Sequence, residues 1–426
     1  MHYPPAVASR VEAARISRWI DRFAAMTEPG HGVTRLAYSP LEREAHALFA
    51  AEMTALGLTV KTDAAGNTIA ELAPTGDEGD AAEHAPAIGT GSHLDSVPEG
   101  GRFDGIAGVV AGMEVARIAV EEDVQRRRPW RFVAFASEEG ARFGQACNGS
   151  RMIAGLTRSA DLHALHDANG VTMAQAMMQV GLAPESVDSA RWRADDWFAF
   201  VEMHIEQGGV LESKGTPVGI VDTISGSTRL QATLLGQASH TGGTPMRLRK
   251  DALVAASECV LACQAIATDP EHHGTRVTVG RLEVFPGSIT TIPGKVVFTV
   301  DVRDVDSDRQ RRTSEALASA FERISAARGT TLAVEVIGDT SPVVLPSWIV
   351  DEIAAGAADV GLAYRVLPSG ASHDSQQINR VVPAGMIFVP SRDGLSHVPE
   401  EFTRAEELAD GATVLLRTMV RLDAAA

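Results

Sequence analysis

Histidines and carboxylates recur in this 426-residue chain at one kind of place, just beyond an apolar run. HAPAIGT leads into GSHLDSVPEGGRFDG, which holds His93, Asp95 and Asp104. WRFVAFAS ends in Ser137-Glu138-Glu139-Gly140, and DWFAFVEM continues into His204-Ile205-Glu206-Gln207-Gly208. MIFVPSRDG runs into Leu395-Ser396-His397. A turn needs Gly and Pro for their backbone angles, but it has no need of imidazoles. Taken singly, His93 reads as a satisfied core histidine, Asp104 as a helix N-cap and Glu138-Glu139 as a solvated loop. Taken together, His93, Asp104, Glu139, His204 and His397 form a nitrogen and oxygen set without thiolate, suited to Zn²⁺, Mn²⁺, Co²⁺ or Ni²⁺. These ligands exceed the roughly three that a mononuclear catalytic zinc uses, whereas two ions sharing a bridging carboxylate use them all. In an extended segment His93 and Asp95 point the same way, so the carboxylate can accept the second imidazole N–H, as it does behind many metal-bound histidines.

The elements that must position these groups read as follows. Residues 7–26 show helical spacing, and Ser39-Pro40-Leu41-Glu42 opens a second helix with a capping-box pattern and Pro at the first helical position. LTVKTDAAGNTIAEL reads as a hairpin around Ala65-Gly66-Asn67, and residues 75–85 as an acidic loop. GIAGVVAGMEVARIAVEE is a helix whose Gly105, Gly108 and Gly112 permit close packing on a sheet. Apolar strands alternating with helices predict an α/β domain with a mostly parallel central sheet, which places ligands at the carboxyl ends of its strands. From residue 221 the rhythm changes. Strand TRLQATLLGQ, helix TPMRLRKDALVAASECVLACQAIA, strands TRVTVGRLEVF and KVVFTVDVRD, helix DSDRQRRTSEALASAFERISAARG and strand TLAVEVIGD give β-α-β-β-α-β, the order of a ferredoxin-like domain. The expected organisation is a catalytic domain in two parts, 1–220 and 340–426, with residues 221–339 inserted as a small domain.

Length alone points to two domains. The net charge of −17 argues against nucleic acid and anionic membranes as partners, since both need a basic patch. No apolar run is long enough to span a bilayer and no signal peptide is visible, so a cytoplasmic protein is expected. The three cysteines are too few and too scattered for a disulfide framework, and Cys259 and Cys263, four apart on a helix, read as buried small hydrophobes. His272-His273 reads as a solvated turn.

GSHLDSVPEGGRFDG, ASEEGARFG, MHIEQG, GQASHTGGTPMRLRKDA, IPGKVVFTVDVRD, SGASHDSQ and FVPSRDGLSHVPEE resemble, in order and spacing, the N-carbamoyl-L-amino-acid hydrolase, β-ureidopropionase and allantoate amidohydrolase group of dinuclear metallohydrolases. The resemblance runs from about residue 10 to about residue 420. HIEQG is its most specific piece, because the related peptidases place a carboxylate where His204 stands. The resemblance implies that His93, Asp104 and His204 hold one divalent ion and that Asp104, Glu139 and His397 hold the other. It makes Glu138 the general base and Asp95 the support of His93. It brings His240 from the inserted lid domain to stabilise the oxyanion in the neighbouring subunit of a homodimer. It assigns substrate contacts to Gln207 and to Arg303, whose guanidinium suits a carboxylate, and it places His373 in a site-facing segment. Two positions depart from the pattern. Thr290 stands where the group has an Asn, and one hydroxyl cannot offer the donor-plus-acceptor pair of an amide; Ser375 stands where Ala is commoner.

The chemistry implied is hydrolysis of a linear ureido or amide C–N bond. Two cations lower the pKa of a bridging water, and Glu138 takes its proton and later delivers it to the leaving nitrogen. An N-carbamoyl-L-amino acid, allantoate or N-carbamoyl-β-alanine is the expected substrate. The alternatives are an N-acyl-amino-acid amidase or dipeptidase with the same metal chemistry, and a metal-binding subunit that has lost catalysis.

Overall fold

Two short strands, β1 (Thr59–Thr62) and β2 (Thr68–Leu72), form the hairpin around Ala65-Gly66-Asn67. Asp63 closes its turn, its carboxylate accepting the backbone N–H groups of Ala65 and Asn67. The computed structural model describes residues 10–75 and 85–425, so the acidic stretch expected over 75–85 and the first residues of the helix expected over 7–26 lie largely outside the described residues. The rest of that helix is present as Ala13–Ala24.

The chain divides into two compact units, Met1–Asp222 with Leu345–Ala426, and Thr223–Val344. A nine-stranded sheet organises the first. It contains β1, β2, β3 (Ala87–His93), β4 (Trp130–Phe135), β5 (Trp197–Ile205), β6 (Val218–Ile224), β13 (Val343–Val344), β14 (Tyr364–Ser369) and β15 (Ala384–Val389). The order is β1-β2-β4-β3-β5-β15-β6-β13, with β14 also on β6. β4–β3, β3–β5 and β5–β15 pair in parallel. β1–β2, β2–β4, β15–β6 and β6–β13 pair antiparallel. The sheet is therefore mixed rather than mostly parallel, as the apolar pattern had suggested. A hairpin extends one flank and β6 turns back beside β15 on the other, so those parallel pairs all lie among the four central strands.

Those four strands carry the site. β3 is buried at every residue, as a strand covered on both faces must be. The helix Ile106–Glu121 follows it and is buried over most of its length between the sheet and the helix Ala405–Ala424. Gly108 makes this contact possible: a Cβ there would lie 2.2 Å from the Met203 carbonyl oxygen. Because β4, β3, β5 and β15 run the same way, their carboxyl ends emerge along one edge.

In the second unit, β7 (Gly226–Leu235), β9 (Arg276–Phe285), β11 (Lys295–Asp304) and β12 (Thr331–Thr340) form an antiparallel sheet in the order β12-β7-β11-β9. Alternate residues of β7 and β11, among them Leu230, Ala232, Phe298, Val300 and Val302, pack with Leu317 and Phe321 of the helix Ser307–Arg328. Cys259 and Cys263 of the helix Ala252–Thr268 lie in the same core as free thiols. This helix starts eight residues later than the sequence pattern suggested. Asp251 caps it, its carboxylate accepting the N–H groups of Leu253 and Val254, and a short 3₁₀ turn occupies Met246–Leu248 instead. His272 is a further correction to a solvated turn: it is buried, with Nδ1 2.8 Å from the Thr313 hydroxyl, while His273 is exposed. Two short strands, β8 (Ser239–His240) and β10 (Thr291–Ile292), pair within this unit and set His240 opposite Thr291.

Candidate active site

His93 is the last residue of β3, His204 lies one residue from the end of β5, and Glu138 and Glu139 follow β4. Asp104 immediately precedes Gly105 and the helix Ile106–Glu121, and His397 lies in the loop after β15. The shared direction of the strands brings all of them together. His93, Asp104 and His204 offer ligand atoms within 4.8 Å of one another, and so do Asp104, Glu139 and His397. Asp104 belongs to both groups through different oxygens. Its Oδ1 lies 3.4 Å from His93 Nε2 and 3.1 Å from His204 Nε2, whereas Oδ2 lies 3.2 Å from His397 Nε2. His397 Nε2 is also 3.4 Å from Glu139 Oε1. The ring of His397 is half exposed while the other four ligand residues are buried.

The histidine tautomers fit cation binding. Nδ1 of His93 sits 3.1 Å from the backbone carbonyl oxygen of Asp95, and Nδ1 of His204 sits 2.8 Å from that of Ile205. A proton on each Nδ1 satisfies those carbonyls, so each Nε2, which shares a proton with Asp104 in the metal-free protein, is the nitrogen left to bind a cation once that proton is displaced. Asp104 shows the strength of this cluster. Burial opposes its ionisation, but hydrogen bonds with His204, His397 and His93 win and hold its carboxyl well below the usual range. Its hydrogen bond to Asp104 pushes His397 up to about 9 against the opposing effect of burial. Burial, reinforced by Asp104, pushes Glu139 up to about 7. Two oxygen-and-nitrogen groups, buried except for the His397 ring and joined by one carboxylate, are suited to divalent cations such as Zn²⁺, Mn²⁺, Co²⁺ or Ni²⁺.

Glu138 sits beside this cluster, with Oε2 3.9 Å from His93 Nε2. Burial is the main reason its carboxyl is pushed well above the usual range; Glu139 and Asp374 add to it and His93 opposes it. The adjacent glutamates are preceded by a left-handed residue, Ser137, at φ 56°. Of the eight non-glycine residues described with positive φ, Ser137, Cys147, Gln207 and His397 all belong to this region. Strained backbone of this kind persists where its surroundings hold it. Here the holding groups are buried acceptors. Asn67 Oδ1 accepts from Ala136 N–H, Glu42 Oε1 from Ser137 N–H, and the two oxygens of Asp95 from the N–H groups of Glu138 and Glu139 at 2.8 and 2.9 Å. Asp95 also lies 3.6 Å from His93 Nδ1, so it stands behind the histidine and clamps both glutamates.

Several of these groups were invisible in the sequence. Glu42 looked like the return half of a capping box. Ser39 does accept the Glu42 N–H at 3.2 Å, but the Glu42 carboxylate binds the N–H groups of Tyr38 and Ser137 instead. Glu401 Oε1 accepts the N–H groups of Phe103 and Asp104. Cys147 donates its thiol to Glu138 Oε1 at 2.9 Å. Their shared signal is a polar residue buried beside a motif, which needs the fold to be seen.

The residues expected at the substrate are placed as follows. Gln207 donates from Nε2 to Asp104 Oδ2 at 2.7 Å. His373 is buried with its ring centroid 4.6 Å from that of His204 and Nε2 2.8 Å from the Ser369 hydroxyl. Ser375 is buried, and its N–H donates to Glu202. His240, Thr290 and Arg303 belong to the second unit. His240 is exposed, and its Nδ1 accepts the N–H groups of Gly242 and Gly243, both at 3.0 Å, which puts the ring proton on Nε2. The Thr290 carbonyl accepts the Thr241 N–H, so Thr290 shapes the His240 loop through its backbone. Arg303 lies on the sheet face opposite the helices and donates to Asp301 at 2.9 Å.

Comparison with known proteins agrees with this geometry. Residues 89–421 match the model of peptidase family M20/M25/M40. The chain is 39% identical over 414 residues to an N-carbamoyl-L-amino-acid amidohydrolase of Paenarthrobacter aurescens, covering 97% of this chain and 99% of that one. It is 34% identical to the allantoate amidohydrolase of Escherichia coli, covering 95% and 96% of the two chains. A crystal structure of an amidase of the hydantoinase/carbamoylase family from Burkholderia vietnamiensis superposes with a TM-score of 0.88 at 33% identity, covering 98% and 99%. The chain therefore belongs to peptidase family M20/M25/M40, and within it to the side on which these ureido-acid amidohydrolases stand.

Proposed function

We propose that the protein hydrolyses the ureido C–N bond of an N-carbamoyl-L-amino acid or a related ureido acid such as allantoate or N-carbamoyl-β-alanine. The observation that carries this reading is the division of labour around Asp104: one carboxylate serves two ligand groups, while Glu138 lies beside them outside both. His93, Asp104 and His204, and Asp104, Glu139 and His397, would hold two divalent cations, which when bound would supply Lewis acidity toward the ureido carbonyl and acidify water. Glu138 takes a proton from the attacking water and hands it to the leaving nitrogen. On an N-carbamoyl amino acid the products are the amino acid, ammonia and carbon dioxide. His240, with its proton on Nε2, is the donor proposed for the developing oxyanion, and Arg303 the cation for the substrate carboxylate. Gln207 and His373 complete the lining.

The second unit is proposed as a lid and dimerisation domain. Its sheet ends in β9 and β12, whose outer edges can pair with another chain. Among the described residues no helix is long and apolar enough to cross a membrane. Three free cysteines suit a reducing cytoplasm. The test is ammonia release by metal-reconstituted protein from N-carbamoyl-L-amino acids, allantoate and N-carbamoyl-β-alanine, with amino-acid release from N-acyl-amino acids and dipeptides measured alongside. Turnover confined to the N-acyl-amino acids and dipeptides would assign the alternative, which the missing side-chain amide at Thr290 keeps open.

A further inference from the structure

A base that shuttles a proton needs one carboxylate oxygen kept free for the proton and the other kept occupied. Glu138 has such an asymmetry. Oε2 faces His93, while Oε1 accepts the Cys147 thiol at 2.9 Å. The backbone repeats the link, since the Cys147 N–H donates to the Glu138 carbonyl oxygen at 2.5 Å. Cys147 is held in the left-handed region at φ 59° as the N-cap of the short helix Asn148–Ile153, and its own carbonyl lies 3.2 Å from the Ser150 hydroxyl. Ser150 in turn is anchored on Asp374. The backbone that carries the thiol is thus fixed from both sides. Burial, with Glu138 and Asp374 adding to it, pushes the Cys147 thiol well up, so it stays protonated and acts as donor.

We infer that Cys147 is a positioning residue for the proposed base: its S–H occupies Glu138 Oε1, fixes the carboxylate rotamer and reserves Oε2 for the proton in transit. The inference rests on Glu138 being the base, and it concerns a thiol that is no metal ligand in either group. Removing the donor frees the carboxylate to rotate and exposes both oxygens to competing contacts. The cost appears in turnover and leaves substrate affinity and metal content alone. Serine, with an O–H in the same place, serves as a conservative replacement.

The experiment compares Cys147→Ala and Cys147→Ser with Glu138→Gln on metal-reconstituted protein, measuring kcat, KM and metal content. The expected result is a kcat about 10-fold lower for Cys147→Ala, the order expected for one hydrogen bond to an ionised group, with KM and metal content unchanged. Cys147→Ser should stay within about 2-fold of the parent on the same grounds. A second readout needs no turnover. In a Cys259→Ala, Cys263→Ala background, where Cys147 is the remaining thiol, its infrared S–H stretch should sit at lower frequency than in the same protein carrying Glu138→Ala. An unchanged kcat in Cys147→Ala, or an S–H band indifferent to Glu138→Ala, overturns the inference. Should Glu138→Gln itself retain full activity, the base assignment fails first; an inactive Glu138→Gln beside a normal Cys147→Ala sinks the inference alone.

Discussion

At the scale of residues, the adjacent glutamates are chemically identical and differ in what surrounds them. Glu139 shares a ligand group with Asp104 and His397, whereas Glu138 has His93 at 3.9 Å and a thiol on its other oxygen. Amide replacements should separate the two roles. Glu138→Gln is expected to keep its metal and lose about 10²–10⁴-fold in kcat, the usual share of general acid–base catalysis. Glu139→Gln should instead bind less metal, and excess cation should recover part of its rate. Kinetics beside elemental analysis checks both, and reversed phenotypes would exchange the assignments.

At the scale of elements, precision comes from the ends of four parallel strands and from one glycine. Gly105 adopts φ 69°, and a Cβ there would lie 2.5 Å from the His93 ring. Gly105→Ala must displace either the ring or the start of the helix Ile106–Glu121. It is expected to lower metal occupancy at the His93–His204 group and to lower Tm, measurable by elemental analysis and calorimetry; full occupancy with parental Tm would contradict the packing argument. The candidate metal ligands were legible in the sequence because His93, Glu139, His204 and His397 each follow an apolar run, a pattern set by burial of the strands, and Asp104 shares a motif with His93. Strand direction leaves no mark on composition, so the mixed sheet had to be seen. The start of the helix Ala252–Thr268 was misplaced because TPMRLRKD contains good helix formers, while the cap at Asp251 decided the boundary. Glu42, Asn67 and Glu401 act through contacts between distant segments, and Cys147 through a loop that folds back on Glu138, so neither period nor motif announces them. Glu42 reaches Ser137 across 95 positions.

At the scale of the whole molecule, the buried cluster makes metal-free protein sensitive to alkali. Its hydrogen bond to Asp104 pushes His397 up to about 9, burial and Glu202 push Asp374 up to about 8, and burial with Asp95 pushes Glu42 up to about 7. Every one of these folded values lies above the unfolded one. The folded chain therefore binds more protons, and the stability these groups contribute is lost as pH rises through their folded values. His46, held well below its ordinary value by burial and by Arg43 and Arg35, works the other way only below about 6.5. Thermal melts of chelated protein should thus show Tm falling from pH 6.5 to pH 9, with divalent cations restoring most at the alkaline end, where fewer protons compete. A flat or rising Tm would contradict the assigned protonation. Assembly is tested by mixing His240→Ala with Glu138→Gln under conditions that exchange subunits. If His240 serves the partner's site, about half the dimers are mixed and about a quarter of parental activity returns, by twofold symmetry; no recovery despite exchange means that it serves its own chain. The central claim, a two-cation ureido hydrolase, meets its most direct test in a titration of metal-stripped protein with Zn²⁺ or Mn²⁺, following ions bound per chain and ammonia released from an N-carbamoyl-L-amino acid in the same samples. The account predicts no ammonia without metal and a plateau in rate at two ions per chain. Full activity at a ceiling of one ion, or undiminished activity in stripped protein, would contradict it.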